Sequence, residues 1–335
     1  MAGPLKPATI RIGNVEVPGR VGLAPLAGYT EYPFRAAVAR FGCAFAVTPL
    51  VSAEGLIRRN EKTTRLLATG DDDASVVAAQ IFGARPAAMA EAAKIAAGAG
   101  FPLVDVNLGC PAPKIRKQRA GAALAGDMVT LRKVARAVVA ASPVPVTAKM
   151  RLGDAAGEKR ALAAAKLLCE EGVAALTVHG RTLEQGLRGP VDCAAVREIA
   201  AAAAVPVWAN GGIETPQDAA KLLEDTGADG VMVGRAAVRR PYLINHVEEY
   251  LAHGEAPAPP SRAALAEAIL FHFEKAASLD GEERAARQFR KHLLAYLKDA
   301  PGAKALRPRA AAVACRDDVV NVLDEFKKLP DYGPP

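Results

Sequence analysis

Between positions 21 and 234, eight short apolar runs alternate with longer stretches that are apolar on one face only. The runs cover 21–25, 44–48, 76–82, 103–108, 145–150, 174–179, 205–210 and 230–234. Most are nearly continuous in apolar side chains, the pattern of parallel strands buried on both faces. The stretches between them, such as 86–99, 130–141, 155–171 and 215–225, are rich in Ala, Leu, Lys and Glu and read as amphipathic helices. Eight strand–helix units predict an α/β fold, a closed (β/α)8 TIM barrel. An open doubly wound sheet is the alternative, weakened because no dinucleotide-type glycine fingerprint follows the first strand. Beyond the barrel pattern, 253–260 is a proline-rich break, and Ser261 opens a helical region interrupted at Pro301-Gly302 and Pro308. The expected organisation is a catalytic barrel over 1–252, a linker over 253–260 and an all-helical domain over 261–335.

Composition narrows the class. Of the 335 residues, 51% are hydrophobic and 24% charged, which excludes a disordered chain. No apolar run approaches the ~20 residues of a membrane span, and positions 1–13 lack a signal-peptide core. Five cysteines, an odd number without framework spacing, point to reduced thiols and a cytoplasmic protein. The net charge of +7 is unevenly spread: from Arg284 to Arg316 there are nine Lys or Arg against one acid, Asp299. Such an excess suggests a polyanionic partner, with a solvated helix face as the bland alternative.

In an eight-stranded barrel the chemistry lies at the C-terminal ends of the strands. Here those ends carry Pro25, Leu26 and Ala27, then Gln80, Asn107, Lys149 with Arg151, His179, Asn210-Gly211-Gly212 and Gly234-Arg235. Each alone reads as a satisfied polar group or a tight turn, but together they converge on one rim. The glycine-rich ends of strands 7 and 8, with Arg235, suggest a phosphate site. Lys149 has three readings: a cation holding a flavin's polar edge, a Schiff-base lysine, or an internal ion pair. Cys110, between Gly109 and Pro111, is followed by Lys114, Arg116, Lys117 and Arg119, which suits a thiol acting on an anionic substrate. No cysteine or histidine spacing suits zinc, so no metal is expected.

These residues form a familiar series. Leu23-Ala-Pro-Leu-Ala-Gly-Tyr-Thr30, Asp105-Val-Asn-Leu-Gly-Cys-Pro111, Thr147-Ala-Lys-Met-Arg151 and Val178-His-Gly-Arg-Thr182 resemble the tRNA-dihydrouridine synthases. Asn210-Gly-Gly-Ile213, Val233-Gly-Arg235 and Arg290-Lys-His-Leu293 with Tyr296 extend the resemblance, particularly to the bacterial B-type branch. It implies an FMN-bound barrel, a helical tRNA-recognition domain and reduction of specific tRNA uridines at the uracil C5–C6 bond, with NADPH or NADH as electron donor. It also implies that Pro25, Leu26 and Ala27 line the flavin, and that Gln80, Lys149 and His179 contact it. Asn210, Gly211, Gly212, Gly234 and Arg235 would hold its phosphate, Asn107 and Arg151 would neighbour the uracil, and Cys110 would be the proton donor. Lys114, Arg116, Lys117, Arg287, Arg290, Lys291, Lys298 and Arg307 are the expected tRNA contacts. The chain departs from the family where Gly212 replaces a common Asp and Leu187 a common aromatic. The competing functions are a flavin barrel acting on a free pyrimidine, a Schiff-base aldolase and a non-catalytic RNA-binding barrel; a monomer is the default expectation.

Overall fold

The computed structural model describes residues 9–154 and 160–331. Its strands are β1 (Ile10–Ile12), β2 (Val15–Val17), β3 (Val21–Leu23), β4 (Phe45–Val47), β5 (Val51–Ser52), β6 (Val76–Phe82), β7 (Leu103–Leu108), β8 (Val146–Arg151), β9 (Ala175–His179), β10 (Val207–Asn210) and β11 (Gly230–Val233). Eight of them pair in parallel in the order β3, β4, β6, β7, β8, β9, β10, β11, and β11 returns to β3, so the barrel is closed. The eight apolar runs are therefore the eight staves, with ends displaced by a residue or two. Closure also explains their lack of alternation: one face packs inward on the barrel axis and the other outward on the helices.

Three strands escaped the pattern because they are so short. β5 adds beside β6, and β1–β2 forms an antiparallel hairpin with Ile10 opposite Val17 and Ile12 opposite Val15. Ile10, Ile12 and Val17 are buried with Phe45, Val76, Leu103, Ala175 and Trp208, most of which begin their strands. The hairpin thus plugs the N-terminal end of the barrel and leaves the other end as the open one. Trp208 fills the interior because β11 offers no side chain beside it: a Cβ at Gly230 would lie 2.5 Å from its indole nitrogen.

The expected helices appear at Pro86–Gly98, Met128–Ala141, Arg160–Glu170 and Pro216–Thr226; the part of the third expected at 155–159 lies outside the described residues. The region after residue 260 is helical, with helices at Arg262–Asp280, Glu282–Tyr296, Arg307–Ala312 and Arg316–Lys327. Ser261 caps the first, its hydroxyl accepting from the Ala264 amide at 3.2 Å. This region packs on the barrel helix Tyr32–Ala39. The Phe34 ring lies 5.5 Å from His272 and 5.7 Å from His292, and one apolar core runs through both parts. Burial, then the charge of Lys291, holds His272 down to about 3, so its imidazole is neutral. Arg65–Asp280 and Lys275–Asp72 ion pairs flank it.

Candidate active site in the barrel mouth

The register of the strands places the polar groups in layers. Gln80 of β6 is opposite Asp105 of β7, which is opposite Thr147 of β8. One layer higher, Asn107 faces Lys149; higher still, Arg151 faces His179, which faces Asn210. Residues two apart on one strand share a face, so Lys149 and Arg151 rise together from β8. Above them opens a pocket of about 340 Å³, within the usual range of small-molecule sites, about 300–1,000 Å³. Pro25, Leu26, Ala27, Gln80, Asn107, Cys110, Lys149, Arg151, His179, Asn210, Gly211, Gly212, Gly234 and Arg235 all line it. The structure brings together every residue expected there from the sequence, apart from the tRNA contacts.

The pocket is strongly cationic. Lys149 donates to Asn210 Oδ1 at 3.0 Å, and Asn210 Nδ2 donates to the Met232 carbonyl at 2.8 Å. Among the described residues Lys149 makes no ion pair, so its internal ion-pair reading is not what the geometry supports. Burial, then the charge of Arg151, lowers its ammonium to about 8, opposed by Asp105. His179 is driven far below its ordinary value by burial and then by Lys149, Arg151, Arg181 and Arg235, so it stays neutral. Arg151 is largely tied down: Nε donates to the Gly109 carbonyl at 3.1 Å, and Nη1 to those of Thr182 (3.2 Å) and Gly186 (2.9 Å). It clamps the loop after β7 to the loop after β9. Gly211 is at φ +119°, and a Cβ there would sit 2.8 Å from the His179 ring. Only glycine lets this turn approach the imidazole so closely.

Cys110 is half-buried at the pocket edge, and its amide donates to Asn107 Oδ1 at 3.0 Å. The loop after it carries Lys114, Arg116 and Lys117, all exposed. The basic stretch of the helical region is less free than its sequence suggests. Arg284 pairs with Asp280, Arg287 with Glu283 and Arg316 with Glu274, acids lying outside the Arg284–Arg316 window. Arg290 is half-buried with Nε on the Val313 carbonyl, and Lys291 sits over the Tyr29 ring. Lys298, Lys304, Arg307 and Arg309 are exposed and, among the described residues, form no ion pair.

Sequence reasoning gave no role to Arg181. It lines the pocket, donates from Nε to the Gly189 carbonyl at 2.9 Å and feels the charge of Arg235. Its place two residues after His179, past the end of β9, was the available signal. Leu50, Glu214 and Leu187 also line the pocket, Leu187 being exposed at the rim. Among the described residues no group of three His, Cys, Asp or Glu is arranged to hold a metal, and no helix is long and apolar enough to cross a membrane.

The model of the family described as dihydrouridine synthase (Dus) matches residues 22–330. A protein named tRNA-dihydrouridine synthase B from Xanthomonas axonopodis pv. citri is 39% identical over 293 residues, 87% of this chain and 88% of the relative. One of the same name from Pseudomonas aeruginosa is 37% identical over 305 residues, 90% of each chain. Among solved structures, histamine dehydrogenase from Rhizobium sp. 4-9 superposes with a TM-score of 0.53 at 13% identity, covering 79% of this chain and 50% of that one. At that identity the likeness is one of fold.

Proposed function

The chain belongs to the dihydrouridine synthase family and forms dihydrouridine in tRNA; we propose that it does so with FMN bound in the barrel mouth and NADPH or NADH as electron donor. The observation that carries this reading is the convergence of Lys149, Arg151, Arg181 and Arg235 on the pocket that Cys110 borders. A buried ammonium without a carboxylate partner is costly unless an anion or a polar ligand edge meets it. The cationic, glycine-lined donor set therefore fits a flavin mononucleotide. Arg235 and the backbone at Gly211, Gly212 and Gly234 would bind the phosphate, while Lys149 and Gln80 would bond the polar edge of the ring and Pro25 to Ala27 would line it. FMN, when bound, supplies the hydride that reaches uracil C6.

Cys110 gives a proton to C5. Arg151, close enough to feel the charge of Cys110, steadies the thiolate left behind. Asn107 holds the Cys110 loop in place and faces the uracil. The target uridine must leave its stack to reach the mouth. Lys114, Arg116 and Lys117 beside the mouth, with Lys298 and Arg307 on the helical region, would receive the RNA backbone. The barrel, the linker at 253–260 and the helical region would divide the work of chemistry and grip. The test is the visible spectrum of the purified protein with the mass of any cofactor released on denaturation. A band near about 450 nm and FMN in the supernatant are expected; a colourless protein that does not take up added FMN would refute the cofactor assignment.

A further inference from the structure

Beneath the pocket, a chain of hydrogen bonds runs from β8 to the Cys110 loop. Thr147 Oγ1 donates to Asp105 Oδ1 at 2.6 Å, and Gln80 Nε2 donates to Asp105 Oδ2 at 2.8 Å. Asn107 Nδ2 donates to Gln80 Oε1 at 2.8 Å, and Asn107 Oδ1 accepts the amides of Gly109 (3.3 Å) and Cys110 (3.0 Å). All four side chains are buried, Gln80 completely and Asp105 to 3% exposure. The two amides could each be turned end for end, but the ends of the chain do not allow it. A carboxylate only accepts, and a backbone N–H only donates. Burial pushes Asp105 up to about 6, opposed by the bonds from Thr147 and Gln80 and by Lys149, so at pH 8 it is ionised.

We propose that Asp105 is a positioning residue for Cys110: through Gln80 and Asn107 it fixes the direction of the amide relay that tethers the Cys110 loop. The relay also decides what Asn107 offers the pocket. Its carbonyl oxygen is filled by two backbone N–H groups, so its remaining hydrogen-bonding group is an N–H. A ligand meeting it must present an acceptor, such as a carbonyl oxygen. The reaction assigned to Cys110 above gives the relay its catalytic meaning, but the relay itself can be read without cofactor or substrate.

The chemistry makes a non-additive prediction. Asp105→Asn alone keeps the direction, because the introduced amide can donate to the Thr147 hydroxyl, which also accepts. Thr147→Val alone leaves the carboxylate in charge. In the double variant the amide at position 105 meets an apolar side chain at 147 with an unpaired N–H as placed or an unpaired carbonyl oxygen if turned, so it no longer selects a direction. Gln80 and Asn107 are then free to turn, and in the turned relay the two loop amides lose their acceptor at the half-exposed Cys110 loop, where water can replace it.

The experiment measures iodoacetamide labelling of Cys110 in the cofactor-free protein at pH 8, for parent, both single variants and the double variant. Buried Cys43 is read in the same digests as a marker of global opening. Each single variant is expected to change the Cys110 rate by less than about threefold, and the double variant to raise it roughly tenfold or more with Cys43 unchanged. Additive effects, a lowered Tm with unchanged Cys110 labelling, or parallel acceleration at Cys43 would each overturn the proposal. Dihydrouridine formation by the same proteins separates the two readings: a labelling jump without slowed turnover leaves the relay standing and removes Cys110 as the acid.

Discussion

Replacing Lys149 by Met should make the cofactor-free protein more stable while abolishing its affinity for FMN. The cause is the charge Lys149 carries in a buried site: its ammonium falls from the ordinary 10.5 to about 8. A difference of that size corresponds to about 3 kcal/mol disfavouring the charged folded form at pH 7. Against it stands the hydrogen bond to Asn210 Oδ1, 3.0 Å long, whose loss removes about 1 kcal/mol. The net expectation is a gain of roughly 1–2 kcal/mol for Lys149→Met at neutral pH. The sign also fixes the pH dependence. With the folded pKa below the unfolded one, the unfolded chain binds the extra proton between pH 8 and 10.5, so the parent gains stability as pH rises through that window. The advantage of Lys149→Met should shrink across the same window. Urea unfolding of the cofactor-free proteins at several pH values, beside FMN titrations followed by fluorescence quenching, measures both halves. A variant less stable than the parent at pH 7, or one that binds FMN as tightly, would refute the reasoning.

Other expectations follow from the same geometry. Gly211→Ala places a Cβ 2.8 Å from the His179 ring at a φ of +119°, so FMN affinity should fall by about tenfold or more while the fold survives; unchanged binding in the same titration would remove this turn from the site. Replacing Lys298, Lys304 and Arg307 together with Gln should weaken tRNA binding and lower the log–log salt slope by roughly 0.7–0.9 per lost contact, with flavin content unchanged. The same affinity and slope across a salt series would shift the RNA grip to Lys114, Arg116 and Lys117. Arg287→Gln should have little effect on either quantity, because Glu283 already pairs with that guanidinium.

The barrel was legible because parallel staves buried on both faces leave an unusually plain trace, and most of its mouth was legible because Gln80, Lys149, His179 and Asn210 are polar at the ends of otherwise apolar runs. The β1–β2 hairpin was not, since three alternating residues per strand carry too little pattern to stand out. The acids beside the basic stretch were hidden for a different reason. A count along the chain stops at its window, whereas Asp280, Glu283 and Glu274 reach into it from outside. Asp105 showed its two-residue spacing to Asn107, which shares its face of β7, but its link to Gln80 and Thr147 depends on the register of three strands. That information resides in the pairing and not in any one segment.

If uridine reduction takes place in the barrel mouth with Cys110 as the acid, removing that thiol must slow dihydrouridine formation and spare flavin reduction. The most direct measurement is dihydrouridine formed on unmodified tRNA by FMN-loaded parent and Cys110→Ala proteins, with NADPH oxidation followed in parallel. Both proteins should be reduced by NADPH at similar rates, while dihydrouridine formation by the variant falls about 10²–10⁴-fold, the usual loss on removing a proton-transfer catalyst. Dihydrouridine formation at the parental rate without the thiol would contradict the claim.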